Sequence, residues 1–444
     1  MKKMLIGTMI AFGMVVSHAS HAETVSLSSA YQKAVDYDSR YRVARADNLV
    51  YQEEVKKAGA AFLPSVRSSG SRGRNSTQHG SRNGLDPTQY YNTMNYGVSL
   101  RQSLLNISNV AEYNQSKAMM AKSDSDLRKE EVSLIVRITE AYCNALYAED
   151  NLAFSKAHIQ AAKEQLQQAK RRFDNGFGTI TEVKEAQANH DMAIAEGVDI
   201  NNGVEFSRRE LEDLIGVYPD QLCRLAPEKL ELKKPSPASV EEWIAISQSG
   251  NPMLASARQE IIIAKREIDK QRAMRLPTLD LIGGRNYSES ENNYTIGSTY
   301  DTYSVALQVN VPIYTGGYNS ASIRQARAKW VKAGEQFTGQ ERAVESDVRR
   351  YFNSVNTSIA QIQAYEQAMK SQEIAFTGTQ KGFTAGLRSN VDVLEAERKL
   401  LESRRNLAKS RYQYILNTLM LKQSAGTLSA SDIDMVNGWL SSVK

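Results

Sequence analysis

The sequence predicts a mixed α+β membrane protein built as a tandem repeat, with short strands and long α-helices in each copy. Three observations predict this fold class: an internal repeat at a constant offset, four segments that alternate as strands, and two long stretches without proline. The expected segments are a signal peptide (1–22), a first repeat (23–217), a proline-rich inter-repeat segment (218–239), a second repeat (240–426) and a C-terminal tail (427–444).

The repeat is clearest where a helical pattern breaks at a glycine and then restarts. Residues 171–187 read RRFDNGFGTITEVKEAQ, and residues 381–397 read KGFTAGLRSNVDVLEAE, at an offset of 210 positions (381 − 171 = 210). The matched pairs include Phe173 and Phe383, Gly176 and Gly386, and Gly216 and Gly426. This ungapped register indicates a tandem duplication, with a sharp turn between two long helices in each copy.

The first residues predict export from the cytoplasm. Lys2 and Lys3 precede an apolar run from Leu5 to Val16, and Ser20-His21-Ala22 forms a small-x-small site. This pattern is typical of a secretory signal peptide that is cleaved after Ala22. A membrane anchor is the weaker alternative, because the apolar run is shorter than the roughly 18 residues that a spanning helix needs.

Composition and motifs exclude several function classes. Lys and Arg number 55 and Asp and Glu 50, without a basic stretch interleaved with aromatic residues, so the sequence gives no indication of nucleic-acid binding. Zinc spacings, a phosphate loop, a dinucleotide fingerprint and a nucleophile elbow are missing. We therefore expect no enzyme, no catalytic residue, no metal and no cofactor. His158 and His190 are interpreted as solvated helix residues, and Cys143 and Cys223 as free, largely buried thiols.

Each repeat is expected to open with one helix that ends at a Leu-Pro dipeptide. In the first repeat this helix covers 23–63 and ends before Pro64, and in the second it covers Val240–Leu276 and ends before Pro277, because proline cannot continue a helix. The segment 218–239 contains four prolines, which stiffen it. This segment and the tail are expected to pack against the helices.

Four segments alternate as strands, two in each repeat. In the clearest one, apolar residues occupy every second position and polar or small residues the others. The four segments are Ser65–Asn75, Tyr96–Arg101, Thr278–Tyr287 and Tyr303–Ile313. Polar loops at 76–88 and 288–298 separate the partners. Each pair is therefore predicted to form an antiparallel hairpin with a solvated tip.

These four strands have one apolar face and cannot close a barrel by themselves, because about eight strands are the usual minimum. If the apolar face meets lipid, unpaired strand edges are not tolerated. The strands would then be pooled between chains, and three copies would give a closed barrel of about twelve strands. Tyrosines near the strand ends favour this interpretation, because tyrosine is enriched at membrane interfaces. The alternative is a small sheet packed on a helix.

Two long stretches carry the predicted helices. All nine prolines lie at or before Pro312, and none falls within 105–218 or 313–444. Apolar residues step by three and four positions through the second stretch and keep a seven-residue period, which predicts coiled-coil packing. A helix from about Ser320 to Phe383 would be about 100 Å long, about three times the thickness of a bilayer core. These helices are therefore expected in water.

Polar residues follow each predicted hairpin turn. In the second repeat, Arg388, Asp392 and Glu395 come after the turn, and the two acids are three residues apart on one helix face. In the first repeat, Thr181 and Glu182 stand in the corresponding region. Because each hairpin returns at its glycine, we expect these residues at a remote tip.

Helix capping explains part of this cluster. Thr179 with Glu182 and Ser389 with Asp392 form capping-box-like pairs, and acids there favour the helix dipole. Capping does not account for the second acid or for the arginine. The other interpretation, which can hold together with capping, is a ring of carboxylates around a three-fold axis that is held shut by bonds from the arginine.

These features together resemble the TolC family, the outer-membrane channel-tunnel proteins of Gram-negative bacteria. The resemblance rests on the signal peptide, the duplication, the two strands per copy, the proline-free hairpins and the phrases VPIYTGG (311–317) and GLRSNVDVLEAE (386–397). It covers essentially all of 23–444. The first copy has QSLLNIS (102–108) in place of VPIYTGG, a divergence that the family also shows.

The resemblance implies a homotrimer with a twelve-stranded barrel in contact with outer-membrane lipid. It also implies a helical tunnel through the periplasm and an equatorial belt built from 218–239 and 427–444. Members of the family serve as the exit duct of a tripartite export system, for type I protein secretion or multidrug efflux. The implied partners are a periplasmic adaptor protein and an inner-membrane pump, either an ABC transporter or a proton-driven transporter.

The resemblance also implies roles for the tip residues. By position, Asp392 and Glu395 match an acidic constriction at the periplasmic entrance, and Arg388, Thr181 and Glu182 match the links that keep the entrance closed. The turns and adaptor contacts fall at Phe173, Gly176, Phe383 and Gly386. The chain has Glu at 182 and 395 where Asp is familiar, which keeps the charge. It has Phe383 where Tyr is familiar, so a link through a tyrosine hydroxyl is not available there.

Two other function classes remain beside the export duct. A structural periplasmic coiled coil without a pore explains the helices but not the strands. An adhesin is the weaker alternative, because the loops at 76–88 and 288–298 are short.

Overall fold

Two long antiparallel helical hairpins make up about half of the chain, and two strands of a four-stranded sheet precede each hairpin in sequence. The computed structural model describes residues 24–81, 84–85, 87–291 and 297–441. The predicted signal peptide therefore lies outside the described residues.

The helices and strands occur in the same order twice. The first copy contains α1 (Leu27–Tyr37), α2 (Ser39–Ala60), β1 (Ser65–Thr77), β2 (Gln89–Leu105), α3 (Ile107–Asp174) and α4 (Ile180–Ile215). The second contains α5 (Val240–Gly250), α6 (Pro252–Ala273), β3 (Thr278–Ser290), β4 (Ser298–Asn310), α7 (Tyr318–Thr384) and α8 (Asn390–Ala425), and α9 (Ala430–Gly438) follows. Two-residue strands lie at Thr24–Val25, Gly80–Ser81, Gly84–Leu85, Gln221–Leu222, Arg224–Leu225 and Leu440–Ser441, and a 3₁₀ turn at Pro227–Lys229.

Each copy opens with two helices, so the prediction of one opening helix is wrong. Asp38 separates α1 from α2, and its carboxylate accepts a hydrogen bond from the Tyr41 N–H at 2.7 Å. Asn251 separates α5 from α6 and is followed by Pro252 at the first helical position. Asp and Asn are favoured N-caps and proline is favoured next to them, so each break begins a new helix.

The four long strands form one antiparallel sheet in the order β1-β2-β3-β4. β1 pairs with β2 and β3 pairs with β4, so both predicted hairpins are confirmed. β2 also pairs with β3, which joins the two copies. β1 and β4 are consequently the edge strands, and within the described residues each has one strand partner.

β4 begins and ends earlier than the predicted segment 303–313. It spans Ser298–Asn310, and Asn310 pairs with Thr278 at the start of β3. Beyond this pair both strands meet a proline, Pro277 on one side and Pro312 two residues past the other. Because proline has no N–H to donate to a ladder, the pairing stops there.

One face of the sheet is apolar and open. Val305, Leu307 and Val309 expose 82, 66 and 63 % of their surface. The register places Leu281 opposite Leu307 and Leu279 opposite Val309, and directly opposed residues share a face. An exposed apolar face of this kind marks a surface that meets lipid or protein.

The main core gathers apolar residues of α3, α7 and α8 where these helices pass the short elements of both copies. Val348, Val355 and Ile362 of α7 are 0, 1 and 1 % exposed, which confirms the predicted seven-residue period. α3 has 68 residues and α7 has 67, so each is about 100 Å long. Within the described ranges, no helix has a stretch long and apolar enough to cross a bilayer.

The inter-repeat segment and the tail pack together beside the long helices. Gln221–Leu222 pairs with the N-terminal Thr24–Val25, and Arg224–Leu225 pairs with Leu440–Ser441. Cys143 and Cys223 are both free and buried, as predicted. Burial raises the pKa of the Cys143 thiol to about 12, so this thiol stays protonated and unreactive at neutral pH.

Candidate functional site at the hairpin tips

Two turns connect the long helices, and each is built on a glycine. Gly176 lies between α3 and α4 with φ of +77°, and Gly386 lies between α7 and α8 with φ of +76°. This left-handed conformation favours glycine, because a side chain would crowd the following carbonyl oxygen. The sequence prediction of two equivalent turns is confirmed in their backbone geometry.

The same backbone hydrogen bonds close both turns. The Phe177 N–H donates to the Arg172 carbonyl at 2.8 Å, and the Leu387 N–H donates to the Gly382 carbonyl at 2.8 Å. This bond is the outer one of a Schellman C-cap, which satisfies carbonyl groups at a helix end. The two tips are therefore copies in hydrogen bonding as well as in sequence.

Both predicted capping boxes are present. The Glu182 N–H donates to the Thr179 hydroxyl at 3.2 Å, and the Thr179 N–H donates to the Glu182 carboxylate at 3.4 Å. In the second capping box, the Asp392 N–H donates to the Ser389 hydroxyl at 3.2 Å, and the Ser389 N–H donates to the Asp392 carboxylate at 2.9 Å. The backbone N–H and the hydroxyl of Ser389 hold the pKa of Asp392 below its ordinary value, with help from the Arg388 charge. Asp392 is therefore an anion at neutral pH.

Glu395 is engaged within its own helix. Its carboxylate lies 2.9 Å from Arg398 and 3.5 Å from the Lys399 Nζ. The hydrogen bond from Arg398 and the charges of both basic residues lower the pKa of Glu395. Asp392 and Glu395 are thus both anionic on the first turns of α8, but they bond to different partners.

Arg388 is exposed beside the turn and, within the described part of this chain, makes no hydrogen bond to Thr181 or Glu182. Thr181 is exposed on the first turn of α4, and the Glu182 carboxylate is used in its capping box. A single chain therefore does not bring the three predicted closing residues together. The closing links therefore stay a prediction.

Exposed apolar side chains cover the ends of both tips. Phe177 and Leu387 follow the two turn glycines and expose 79 and 81 % of their surface, and Phe173 exposes 42 %. The Arg172 guanidinium lies over the Phe383 ring, 4.7 Å from its centroid, which joins the tips of one chain. The sequence reasoning missed Phe177 and Leu387, although the offset of the repeat relates them.

One cross-hairpin contact near the tips was missed. His158 and His190 were interpreted as solvated, but their side chains are only 15 and 17 % exposed, so this interpretation is wrong. The His158 Nδ1 lies 2.9 Å from Glu397 Oε1 on α8. Glu397 is buried in line with Val393 and Leu400, at steps of four and three. In the sequence, the acidic Glu397 at a core-facing position is the signal that could have predicted a buried polar contact.

No group of three or more His, Cys, Asp or Glu side chains in the described ranges is arranged to hold a metal ion. The charged residues at the tips act as fixed charges and capping groups in this geometry.

Comparison with known proteins gives the family. The chain matches the model of the family described as outer membrane efflux protein over residues 30–217 and 243–427. The chain belongs to this family. Its members are transport channels, and membership identifies the chain as an exit channel for secretion or efflux in the outer membrane of Gram-negative bacteria. The resemblance to the TolC family is thereby confirmed.

Individual relatives match along nearly the whole chain. The outer membrane protein TolC of Vibrio cholerae is 32% identical over 447 residues, which is 100% of both chains. The alkaline protease secretion protein AprF of Pseudomonas aeruginosa is 31% identical over 420 residues, which is 94% of this chain and 87% of AprF.

Solved structures share the fold of this outer membrane efflux protein. The outer membrane protein VceC of Vibrio cholerae aligns with a TM-score of 0.75 at 18% identity, over 90% of this chain and 96% of VceC. The CmeC outer membrane channel of Campylobacter jejuni aligns with a TM-score of 0.77 at 16% identity, over 93% of this chain and 89% of CmeC. These alignments confirm the predicted fold class of strands continued by long helices.

The turn geometry predicts opposite effects of two glycine substitutions. Gly386→Ala places a side chain at φ of +76° and should destabilise the turn by about 1–2 kcal/mol. Gly378→Ala, inside α7, should stabilise the same hairpin by roughly 1 kcal/mol, because alanine favours helix. An added Cβ meets no atom within 4 Å at either position. Comparing the two variants therefore measures the effect of the backbone conformation without a steric clash.

Amide hydrogen exchange across residues 376–392 measures both effects. We expect faster exchange in Gly386→Ala and slower exchange in Gly378→Ala than in the wild type. Equal exchange in all three proteins would show that the left-handed turn does not limit the order of the tip.

Proposed function

We propose that three copies of this chain form the outer-membrane exit duct of a tripartite export system. The observation that carries the proposal is the four-stranded sheet, with its open apolar face and its two edge strands β1 and β4. Unpaired edges are not tolerated in lipid. Pairing β4 of one copy with β1 of the next would satisfy the backbone hydrogen bonds of both edge strands. Three copies would pool about twelve strands, enough to close a barrel.

The helices support a continuous duct. α3 begins at Ile107 directly after β2 ends at Leu105, so the wall of the barrel continues into the helices. At about 100 Å, α3 and α7 are long enough to extend far beyond the membrane. The hairpin tips then form the periplasmic end of the duct. Cleavage after Ala22 would release the chain to the periplasm for insertion.

The tips would form a charged entrance. Asp392 and Glu395 are anions on the first turns of α8, so three copies would place a ring of negative charge around the axis. Arg388 is exposed beside this ring, and in the described part of its own chain its charge acts on Asp392 but makes no bond to Thr181 or Glu182. We propose that it closes the entrance by bonding to Thr181 or Glu182 of a neighbouring copy.

The partners would be a periplasmic adaptor protein and an inner-membrane pump. Phe177 and Leu387 present apolar surface at the tips, which suits docking of a partner with apolar side chains. AprF and the proteases secretion protein PrtF of Dickeya chrysanthemi are named for protease secretion, and BepC of Brucella suis for efflux. We propose type I protein secretion or multidrug efflux for this chain, through an ABC or proton-driven pump.

Single-channel conductance in planar bilayers tests the entrance. The wild type should show a small, cation-selective conductance that a multivalent cation blocks from the helical side. Asp392→Ala/Glu395→Ala should weaken this block by about tenfold or more, equivalent to ~1.4 kcal/mol of binding energy, because the ring loses its charge. Glu210→Ala, an exposed acid near the far end of α4, is the matched control and should leave the block unchanged.

Two outcomes would contradict the proposal. Folded protein that forms no pores would favour a structural periplasmic coiled coil, the alternative function. Equal block in the double variant and the wild type would place the cation site elsewhere in the duct.

Arg388 provides a second prediction for the closed state. Arg388→Ala should raise the conductance of the closed duct, because each copy loses its closing bonds. Arg388→Lys should give an intermediate value, since lysine keeps the charge but not the planar fork that bonds to a carboxylate through two N–H groups. Closed-state conductance that is the same in all three proteins would rule out the closing role.

A further inference from the structure

Glu397 of α8 joins the two helical hairpins of the chain. Its Oε1 lies 2.9 Å from the His158 Nδ1, and its Oε2 accepts a hydrogen bond from the Gln165 Nε2 at 2.7 Å. His158 and Gln165 are seven residues apart on α3, so they lie on one face of that helix. Both oxygens of one carboxylate are therefore held by the other hairpin.

This contact lies beyond the main apolar core, on the side of the tips. The buried residues of the main core stop at Leu146 on α3 and start at Leu407 on α8. Glu397 is only 8 % exposed and lies about 10 Å from the start of α8. Between this core and the tips, a smaller apolar cluster (Leu166, Ala169 and Ala186) lies within the first hairpin, and the Glu397 carboxylate adds polar bonds between α8 and α3.

The surroundings of this contact are also polar. Two buried side-chain atoms of residues at this contact have no hydrogen-bond partner in the described chain: Gln165 Oε1 and Arg405 Nε. Unsatisfied buried polar groups weaken an interface. The hairpins are consequently bound less firmly at this contact than in the main apolar core.

The charged groups that face His158 come from both neighbouring helices. α8 contributes Glu397 and Arg405, and α4 contributes Glu196, which lies 2.8 Å from Arg405. The hydrogen bond to Glu397 raises the pKa of His158, burial opposes it, and the Glu196 and Arg405 charges act in opposite directions. The net result is a pKa above the ordinary value of histidine.

We propose that His158, Gln165 and Glu397 form a pH-sensitive clamp that holds the two hairpins of each chain together above the tip and must release before the entrance opens. The clamp rests on the proposed function, because it regulates opening of the same duct. It differs from the tip links in place and in chemistry, since it acts within one chain and through a histidine.

The direction of the pH effect follows from the His158 pKa. In the clamped state this pKa is raised, and after release the exposed ring returns to its ordinary value. The clamp is therefore strongest below the ordinary pKa and weakens as the pH rises through the raised pKa. Between the two values, the ratio of released to clamped chains rises about tenfold for each pH unit.

The test combines three variants with a pH series from about pH 5 to about pH 8. Wild-type conductance should rise with pH. His158→Gln and Glu397→Gln should give a higher conductance at low pH and lose the dependence on pH. His190→Gln is the matched control, because His190 is similarly buried but lies beside Asp191 of its own helix, and it should behave as the wild type.

A distance measurement between spin labels tests the clamp independently of the proposed duct. Spin labels at Ala157→Cys on α3 and Glu402→Cys on α8 occupy exposed positions, and the native thiols are buried. The label distance should increase with pH in the wild type and should be larger and independent of pH in His158→Gln. This readout does not require a conducting pore.

The combined outcomes are decisive for each proposal. Distances that respond to pH and to His158→Gln in protein that forms no pores would support the clamp and contradict the duct. Pores whose conductance and label distances are the same in the wild type, His158→Gln and Glu397→Gln would overturn the clamp and leave the duct standing.

Discussion

Backbone N–H and C=O groups at the edge of a sheet must be paired in lipid, and the rest of the molecule depends on this constraint. In the described chain β1 and β4 each have one strand partner, while the apolar face of β4 is open. Strands of further copies can pair with both edges and keep the apolar face outward. Because the long helices follow the strands directly in the chain, the helices of several copies must be arranged with the same symmetry as their strands.

The long helices are stabilised by different interactions near the short elements and near the tips. Near the short elements, α3, α7 and α8 share an apolar core with fully buried residues such as Val348 and Leu419. Towards the tips, a small apolar cluster around Leu166 remains, and capping boxes and polar contacts such as His158 to Glu397 contribute more. Apolar burial holds the duct together, whereas the charge-dependent bonds near the tips can break and re-form. This division suits a duct that opens at one end only.

Much of the fold could be predicted from the sequence, because periodicity reports local structure directly. The offset of the repeat located Gly176 and Gly386, and the heptads located the buried face of α7. The break at Asp38 was not predicted, because a single capping residue is a weak signal inside a stretch that otherwise favours helix.

The candidate site was predicted only in part. Capping at Thr179 and Ser389 is local and could be inferred from spacing. The contact of His158 with Glu397 joins residues 239 positions apart, and no local pattern gives that distance. The predicted links of Arg388 to Thr181 or Glu182 are not formed within the described part of a single chain, so they stay a prediction.

Cysteine cross-linking between edge strands tests the central claim that copies pool their strands. Single cysteines are scanned along β1 and along β4 in one chain and oxidised in the membrane. The account predicts that some pairs form disulfides between chains and that the covalent products stop at three chains, because the barrel closes. Products that continue beyond three chains, or no cross-link at any pair, would contradict it.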